Sequence, residues 1–345
     1  MKIIFGTCIS GNGHQTQAIA TKQFLEKQGI NVICNLVGKP FKNKLPKYFT
    51  DEFNIIQHDS FDFVFDKEGR VIIWKTLLKN TLELPRLILS FIKICNVIRK
   101  EKPDAIFNYY EPLVGLTSLF FRNIKYVSFG HQYAMDSSIY PRINGYPVQK
   151  LFLNIINKIT SIRAKIVALS YYEFNDEEMI VSPPILRTES YGISNKQEDF
   201  VLVYLMNEDM LPQLFSEAKK HPDIKIECFT KLTKQYDELP NVKLYNLDGK
   251  LFQEKMKVCK AVICSGGFET SAEAIYQMKP LLMIPMPNHY EQHANCEDAY
   301  LSSFAIYADK IDLSKIPKYQ MGNTKWFDTH QYILQRVLYY LGVDH

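Results

Sequence analysis

The residues most able to do chemistry lie between Cys264 and Glu273, in Cys264-Ser265-Gly266-Gly267-Phe268-Glu269-Thr270-Ser271-Ala272-Glu273. A buried strand runs into two glycines there, and a helix starts just beyond them. Glycines let a ligand approach the backbone closely, and the free N–H groups of a helix start form a site for a phosphate or diphosphate. Glu273 falls one turn into the helix, three residues after Thr270, so the two point to a similar side. A carboxylate in that place can accept hydrogen bonds from both hydroxyls of a ribose. Diphosphate and ribose together describe a nucleoside diphosphate. The plainer alternative is an ordinary strand–turn–helix, with Glu269 and Glu273 complementing the helix dipole.

The next segment, Pro285-Met286-Pro287-Asn288-His289-Tyr290-Glu291-Gln292-His293-Ala294-Asn295, follows another strand and should open on the same side. Glu291 and Gln292 form an acceptor-rich pair suited to sugar hydroxyls. His289 and His293, four apart, have the spacing of zinc ligands on a helix. No HExxH glutamate and no third ligand accompany them, so no metal is expected. Near the N-terminus, Gly11-Asn12-Gly13-His14 joins a first strand to a first helix. It lacks both the GxGxxG and the GK[ST] spacing, and it offers backbone N–H groups and one imidazole.

These loops need rigid elements beneath them, and the chain supplies two alternating series. Strands are expected at 2–5, 31–37, 104–108, 125–129 and 166–169, with a helix over 15–28 that stops at Gly29. The apolar stretch 71–98 has helical spacing, broken or kinked at Pro85. Residues 181–197 change character, and Pro183-Pro184 forbids a helix there. A second series follows, with strands at 200–205, 224–229, 242–245, 261–264 and 280–285 and a helix over 251–258. The last segment, 326–341, reads as an amphipathic helix. The expected fold is α/β, two Rossmann-like doubly wound domains facing across a cleft, with ligands at the carboxyl ends of the strands. The boundaries fall at 1–187, 188–325 and a C-terminal helix 326–345 that packs back on the first domain.

Composition narrows the classes further. The 345 residues exceed one ordinary core and suit two domains of roughly 150 each. The net charge of +4 is mild, and no basic stripe marks a nucleic-acid binder. Seven cysteines include no CxxC pair, which suits reduced, buried thiols in the cytoplasm. The apolar start is too short for a signal peptide. Lysines and arginines interrupt 71–98, so it does not span a membrane; it packs in the core or rests part of one face on a membrane. The Lys39, Lys42, Lys44 and Lys47 cluster is a solvated loop or a second contact to anionic lipid.

Gly-Asn-Gly-His at 11–14, Ser-Gly-Gly with Glu273 downstream, and Glu291-Gln292 with Asn295 resemble the GT-B nucleotide-sugar glycosyltransferases. Among them the chain resembles the branch containing the N-acetylglucosaminyltransferase that completes lipid II. Asn108-Tyr109-Tyr110-Glu111-Pro112 and Gly130-His131-Gln132 resemble segments of uncharacterised members. The resemblance implies inverting transfer of a sugar from a nucleotide diphosphate, UDP by preference, with no metal or other cofactor. It makes Glu273 the ribose acceptor, Gly266, Gly267 and Thr270 the diphosphate loop, and Glu291 and Gln292 the pair that holds the donor sugar. Gly13, Phe268, Glu269 and His289 are expected to bind the donor as well, and His14 lies near the reacting centre. His14, Glu111, His131 and Asp136 become the candidates for the general base. The acceptor is a glycan or a lipid-linked sugar reached at the inner membrane face. One departure is Leu205-Met206-Asn207-Glu208-Asp209, where that branch has a glycine-rich turn. A nucleotide-sugar 2-epimerase and a non-catalytic sugar-binding subunit are the competing readings.

Overall fold

The computed structural model describes residues 1–9, 13–39, 45–62, 64, 72–187, 190, 192–206, 208–237, 239–319 and 324–343. Gly11, Asn12, Lys42 and Lys44 therefore lie outside the described residues. Two compact units result. One comprises Met1–Tyr140, Asn144–Arg187 and Asp328–His345, the other Pro141–Ile143 and Thr188–Phe327.

The first unit runs β1 (Lys2–Cys8), α1 (Gly13–Lys27), β2 (Asn31–Lys39), α2 (Lys47–Thr50), β3 (Ile55–Asp59), α3 (Ile73–Leu82) and α4 (Leu84–Glu101). It continues with β4 (Ala105–Tyr109), α5 (Pro112–Thr117), β5 (Lys125–Gly130), a 3-10 turn at His131–Asp136, α6 (Pro147–Thr160), β6 (Ala164–Leu169) and β7 (Met179–Ser182). The seven strands form one parallel sheet in the order β3-β2-β1-β4-β5-β6-β7. Continuous apolar runs such as Ile3-Ile4-Phe5 and Ala105-Ile106-Phe107 are what a sheet covered on both faces requires, and all six residues are fully buried. Glu83 separates α3 from α4, and Pro85 sits in the first turn of α4, where its missing N–H costs nothing. The break at Pro85 is thus two helices.

Chain direction sorts the helices. From β1 to β2 the chain moves one way along the sheet; from β3 to β4, β4 to β5 and β5 to β6 it moves the other way. With right-handed crossovers, α1 covers one face while α4, α5 and α6 share the opposite one. Leu87, Ile94 and Ile98 of α4 pack there with Ile4, Leu36, Ile106 and Val114.

The second unit runs β8 (Val201–Tyr204), α7 (Leu211–Lys220), β9 (Ile226–Phe229), β10 (Val242–Tyr245), α8 (Gly249–Val258), β11 (Ala261–Ser265), α9 (Phe268–Tyr276), β12 (Leu281–Ile284), α10 (Tyr290–Leu301) and β13 (Ile306–Tyr307). Its sheet is also parallel, ordered β10-β9-β8-β11-β12-β13. The final helix, α11 (His330–Tyr340), belongs to the first unit and lies against β7. Both sheets are doubly wound, with the strand order reversing between β1 and β4 and between β8 and β11. Ligands of such sheets bind at the carboxyl ends of the strands beside the reversal.

Candidate active site

In the second unit, β11 delivers Ser265, Gly266 and Gly267 to the carboxyl edge at the reversal point. The two glycines do different work. A Cβ on Gly266 would stand 2.5 Å from the Gln292 carbonyl oxygen, so α10 packs its backbone directly on this residue. A Cβ on Gly267 would meet nothing within 4 Å. Gly267 is the N-cap of α9 and provides no side-chain cap, and the space where its Cβ would stand is open. Asn295 Nδ2 donates to the Gly266 carbonyl at 2.9 Å and fixes the loop from below. Ser265 Oγ is buried and makes no hydrogen bond among the described residues.

Phe268 is buried, Glu269 and Thr270 are half-buried, and Glu273 is 3% exposed. The Glu273 carboxylate is held from two sides. Ser190 Oγ donates to Oε1 at 2.9 Å, and Gln253 Nε2 of α8 donates to Oε2 at 2.7 Å. Gln277, one turn further along, donates through Nε2 to the Ser190 carbonyl. Sequence reasoning missed all three of these residues. Ser190 and Gln253 lie 83 and 20 residues from Glu273, and neither is in a motif.

The segment after β12 differs from its expected role. Gln292 is 4% exposed; its Oε1 accepts from the Met286 N–H at 2.9 Å and its Nε2 points at Met206 Sδ at 2.9 Å. Gln292 therefore ties the end of β12 to the end of β8 instead of presenting its amide. Glu291 beside it is half-buried. His289 is the N-cap of α10, its Nδ1 accepting from the Gln292 N–H at 3.4 Å, and burial lowers its pKa. Among the described residues no three His, Cys, Asp or Glu gather as metal ligands.

In the first unit, Gly13 opens α1 and His14 follows in its first turn. The His14 ring stacks on Tyr110, with centroids 5.2 Å apart and planes at 13°. Tyr110 adopts φ 62°, the left-handed region, and donates its hydroxyl to Asn157 Oδ1 at 2.6 Å. Burial pushes the His14 pKa down to about 4, a hydrogen bond with Gln17 opposes this, and the charge of His131 lowers it further. The imidazole is therefore uncharged near neutrality.

The other three candidates for the base are placed differently. Glu111 is fully buried and is the N-cap of α5: Oε2 accepts from the Val114 N–H at 2.6 Å, and Oε1 accepts from the Ser60 hydroxyl. Gly38 makes the room, since a Cβ there would overlap the Glu111 carboxylate. Glu111 is a cap whose two oxygens are both engaged, which removes it from the proton-transfer candidates. His131 is 2% exposed, and its Nδ1 lies 2.9 Å from the Leu169 carbonyl. A carbonyl only accepts, so Nδ1 carries the proton and Nε2 receives the Tyr140 hydroxyl at 3.3 Å. Nδ1 thus anchors the 3-10 turn to β6, and Nε2 ties it to the chain just beyond the turn. Asp136 is exposed and accepts from Asn157 Nδ2 at 2.9 Å. Of the four, His14 is the one with a ring nitrogen, Nδ1, that makes no hydrogen bond among the described residues.

The chain matches the model of glycosyl transferase family 1 over residues 1–321. It therefore belongs to that family, and its two parallel doubly wound sheets are the GT-B glycosyltransferase fold. No curated protein matches it in sequence. Among solved structures, it is similar to MurG of Acinetobacter baumannii, with 14% identity, TM-score 0.54, and 99% of this chain and 90% of that one covered. It is similar also to the glycotransferase of kitacinnamycin, with 12% identity, TM-score 0.61, and 99% and 94% covered. A third is UGT89C1 of Arabidopsis thaliana in complex with UDP-L-rhamnose, with 12% identity, TM-score 0.59, and 99% and 93% covered. At such identities the likeness is one of fold.

Two predictions follow from this geometry. Gly266→Ala forces a methyl onto the Gln292 backbone and is expected to cost about 1–3 kcal/mol, whereas Gly267→Ala fills open space and leaves the melting temperature unchanged. Differential scanning calorimetry of both variants checks this, and equal losses would contradict it. His14, titrating near 4 when folded and near 6.5 when unfolded, gives stability that is complete above 6.5 and is lost as pH falls toward 4. The loss amounts to roughly 3 kcal/mol. In urea titrations at pH 7.5 and pH 4.5, His14→Phe should remove most of this difference, with His289 and His293 supplying a remainder of the same sign.

Proposed function

We propose that this protein transfers a hexose or N-acetylhexosamine from a nucleoside diphosphate carrier, a UDP-sugar, to an acceptor hydroxyl, with inversion and without a metal. The observation that carries the proposal is the uncapped N-terminus of α9, reached through Gly267 at the strand-order reversal, with the Glu273 carboxylate behind it on the same helix. The acceptor oxygen forms a bond to the anomeric carbon as the bond from that carbon to the diphosphate breaks. The bonding pair leaves with the phosphate, and the α9 N–H groups stabilise the growing negative charge. The acceptor proton goes to His14 Nδ1, which is uncharged and so able to receive it. The UDP-L-rhamnose of the Arabidopsis structure supports uridine as the base.

Isothermal calorimetry with UDP, TDP and GDP tests the donor. Micromolar UDP binding is expected, weakened at least about tenfold by Glu273→Ala, which is about 1.4 kcal/mol. No nucleotide binding, or an unchanged variant, would overturn the proposal. Release of UDP in the absence of any acceptor, with epimerised sugar, would instead identify a 2-epimerase.

We also propose that the acceptor is lipid-linked and that the α3–α4 face of the first unit docks on an anionic bilayer. Trp74, Leu77, Leu78, Leu82, Leu84, Ile88, Leu89 and Ile92 are all exposed there. On the neighbouring helices Phe120 beyond α5 and Val148, Leu151 and Ile155 of α6 are exposed too. Residues 72–101 hold six basic and two acidic side chains, a surplus of four, and the whole chain has 41 basic and 37 acidic, also four. The rest of the protein is thus electrically balanced, and its net positive charge sits beside the exposed apolar helices. Anionic lipid is the partner whose chemistry meets both features. No helix among the described residues is long and apolar enough to cross a membrane. Liposome flotation checks this: the protein should float with phosphatidylglycerol vesicles and not with phosphatidylcholine alone. Leu89→Asp with Ile92→Asp should abolish flotation and leave UDP affinity intact. Efficient glycosylation of a soluble sugar by protein that ignores both vesicles would refute the lipid-linked acceptor.

A further inference from the structure

We propose that Met206 is a specificity-determining residue whose thioether competes with an oxygen of the donor sugar for the side-chain amide of Gln292. The inference rests on the nucleotide site proposed at the tip of α9, and it concerns the sugar that a nucleotide there carries. Behind it is an unequal pairing: one end of a buried amide meets a strong partner, and the other end meets a weak one.

Gln292 is 4% exposed and stands in the first turn of α10. Its Oε1 accepts from the Met286 N–H at 2.9 Å, and its Nε2 donates to Met206 Sδ, also at 2.9 Å. A backbone N–H can only donate, so the amide oxygen must face Met286 and the orientation of the amide is fixed. The amide nitrogen is left with the thioether, and a thioether sulfur is a weak acceptor. An N–H buried in such a pairing has already lost its water, so a better acceptor gains nearly the full value of a hydrogen bond on replacing the sulfur. The hydroxyl oxygens of a sugar, and the carbonyl oxygen of an N-acetyl group, are better acceptors.

Position in the fold says which ligand can bring that oxygen. Met206 lies just beyond the end of β8 and is 47% exposed, so its unbranched side chain can swing off the amide with little loss of packing. β8 and β11 are the neighbours between which the strand order reverses. The bond from Met206 to Gln292 spans that edge, from the end of β8 to α10, and α10 rests on Gly266 at the end of β11. The next residue, Gly267, is the N-cap of α9. A group joined to a phosphate at that tip therefore starts within side-chain reach of the Gln292 amide. With the ribose assigned to Glu273, the remaining substituent of the diphosphate is the sugar. The bond from Met286 keeps Nε2 aimed while its acceptor is exchanged, so Met206 is the part that moves. The exchange ranks donors by the strength of the oxygen they place at Nε2.

Calorimetric titrations of the full chain with UDP, UDP-glucose and UDP-N-acetylglucosamine test the inference, read as the ratio of each sugar nucleotide's affinity to that of UDP. Met206→Leu keeps the bulk of the side chain and removes the acceptor. It should raise the ratio about three- to tenfold for at least one of the two sugars. Gln292→Met has no N–H to offer, and in that background Met206→Leu should leave both ratios where they are. Ratios unchanged or lowered by Met206→Leu would overturn the inference, and so would an equal rise in the Gln292→Met background, which would make Met206 a steric obstacle. If wild type binds none of the three nucleotides, the site reading at α9 fails and the inference falls with it, whereas UDP binding with unchanged ratios removes the inference alone. Should Gln292→Met not fold, the spectrum of protein labelled with [methyl-13C]methionine decides. The Met206 signal, identified by its loss in Met206→Leu, should move with the sugar nucleotide and not with UDP; equal movement with both would overturn the inference.

Discussion

The backbone of α10 rests on the backbone at Gly266, and the loops at the carboxyl edge of the second sheet are arranged around that contact. Contact at this range needs a residue without a Cβ, since any side chain would meet the Gln292 carbonyl. Once made, it brings Asn295 to the Gly266 oxygen and carries the Gln292 side chain across to Met286 and Met206. One helix thereby joins the ends of β8, β11 and β12. The N-terminus of α9 inherits its position from this scaffold, so in the proposed reaction its N–H dipoles are held in place by packing. Preorganisation of this kind makes backbone donors effective, since nothing has to be reoriented at the moment of reaction.

The corresponding edge of the first sheet is organised by side chains. After β4, Asn108 and Glu111 bracket Tyr110: the Glu111 N–H donates to Asn108 Oδ1 at 3.0 Å, and Asn108 Nδ2 donates to the Glu111 carbonyl at 3.1 Å. Glu111 then turns inward to cap α5. This closed turn holds Tyr110 at positive φ, a backbone state costing a side-chain-bearing residue on the order of 1 kcal/mol. Its result is a ring that stacks on His14 and shields it from water. Burial is the main cause of the depressed His14 pKa, and the Tyr110 ring is one of the groups packed on it. The Asn-Tyr-Tyr-Glu-Pro segment thus works through its tyrosine, with its glutamate as internal support.

What could be read from the chain follows from how local each signal is. Buried central strands announce themselves as apolar runs: β4 spans Ala105–Tyr109 and β11 spans Ala261–Ser265, close to the expected 104–108 and 261–264. The strands that escaped, β3, β7 and β13, all lie at sheet edges. Ile55-Ile56-Gln57-His58-Asp59 is half polar, Met179–Ser182 is four residues long and followed by two prolines, and Ile306–Tyr307 has only two residues. Short or half-polar strands of this kind carry little periodic contrast in sequence. At the site, Ser-Gly-Gly before a helix is a local signal and was legible. Ser190 and Gln253 are common polar residues whose meaning comes from meeting Glu273 across the fold, and Gln277 takes its meaning from meeting Ser190. Glu111 misled for the opposite reason, because a carboxylate after a strand looks the same in sequence whether it caps a helix or moves a proton.

In the proposed transfer, the two units, which share a winding, use their reversal points for different kinds of work. Backbone N–H groups cannot titrate and have no rotamers to lose, which suits the task of meeting phosphate charge at the tip of α9. Proton transfer needs a group that changes its protonation state, and a backbone cannot supply one. It takes a side chain, and the first unit has His14 in the first turn of α1, buried, uncharged and stacked in one orientation. A depressed pKa keeps such an imidazole ready to accept a proton at neutral pH, at the expense of basicity. The trade favours a step in which the leaving group departs early and the acceptor oxygen is acidified by its own bond formation, since a weak base is then strong enough.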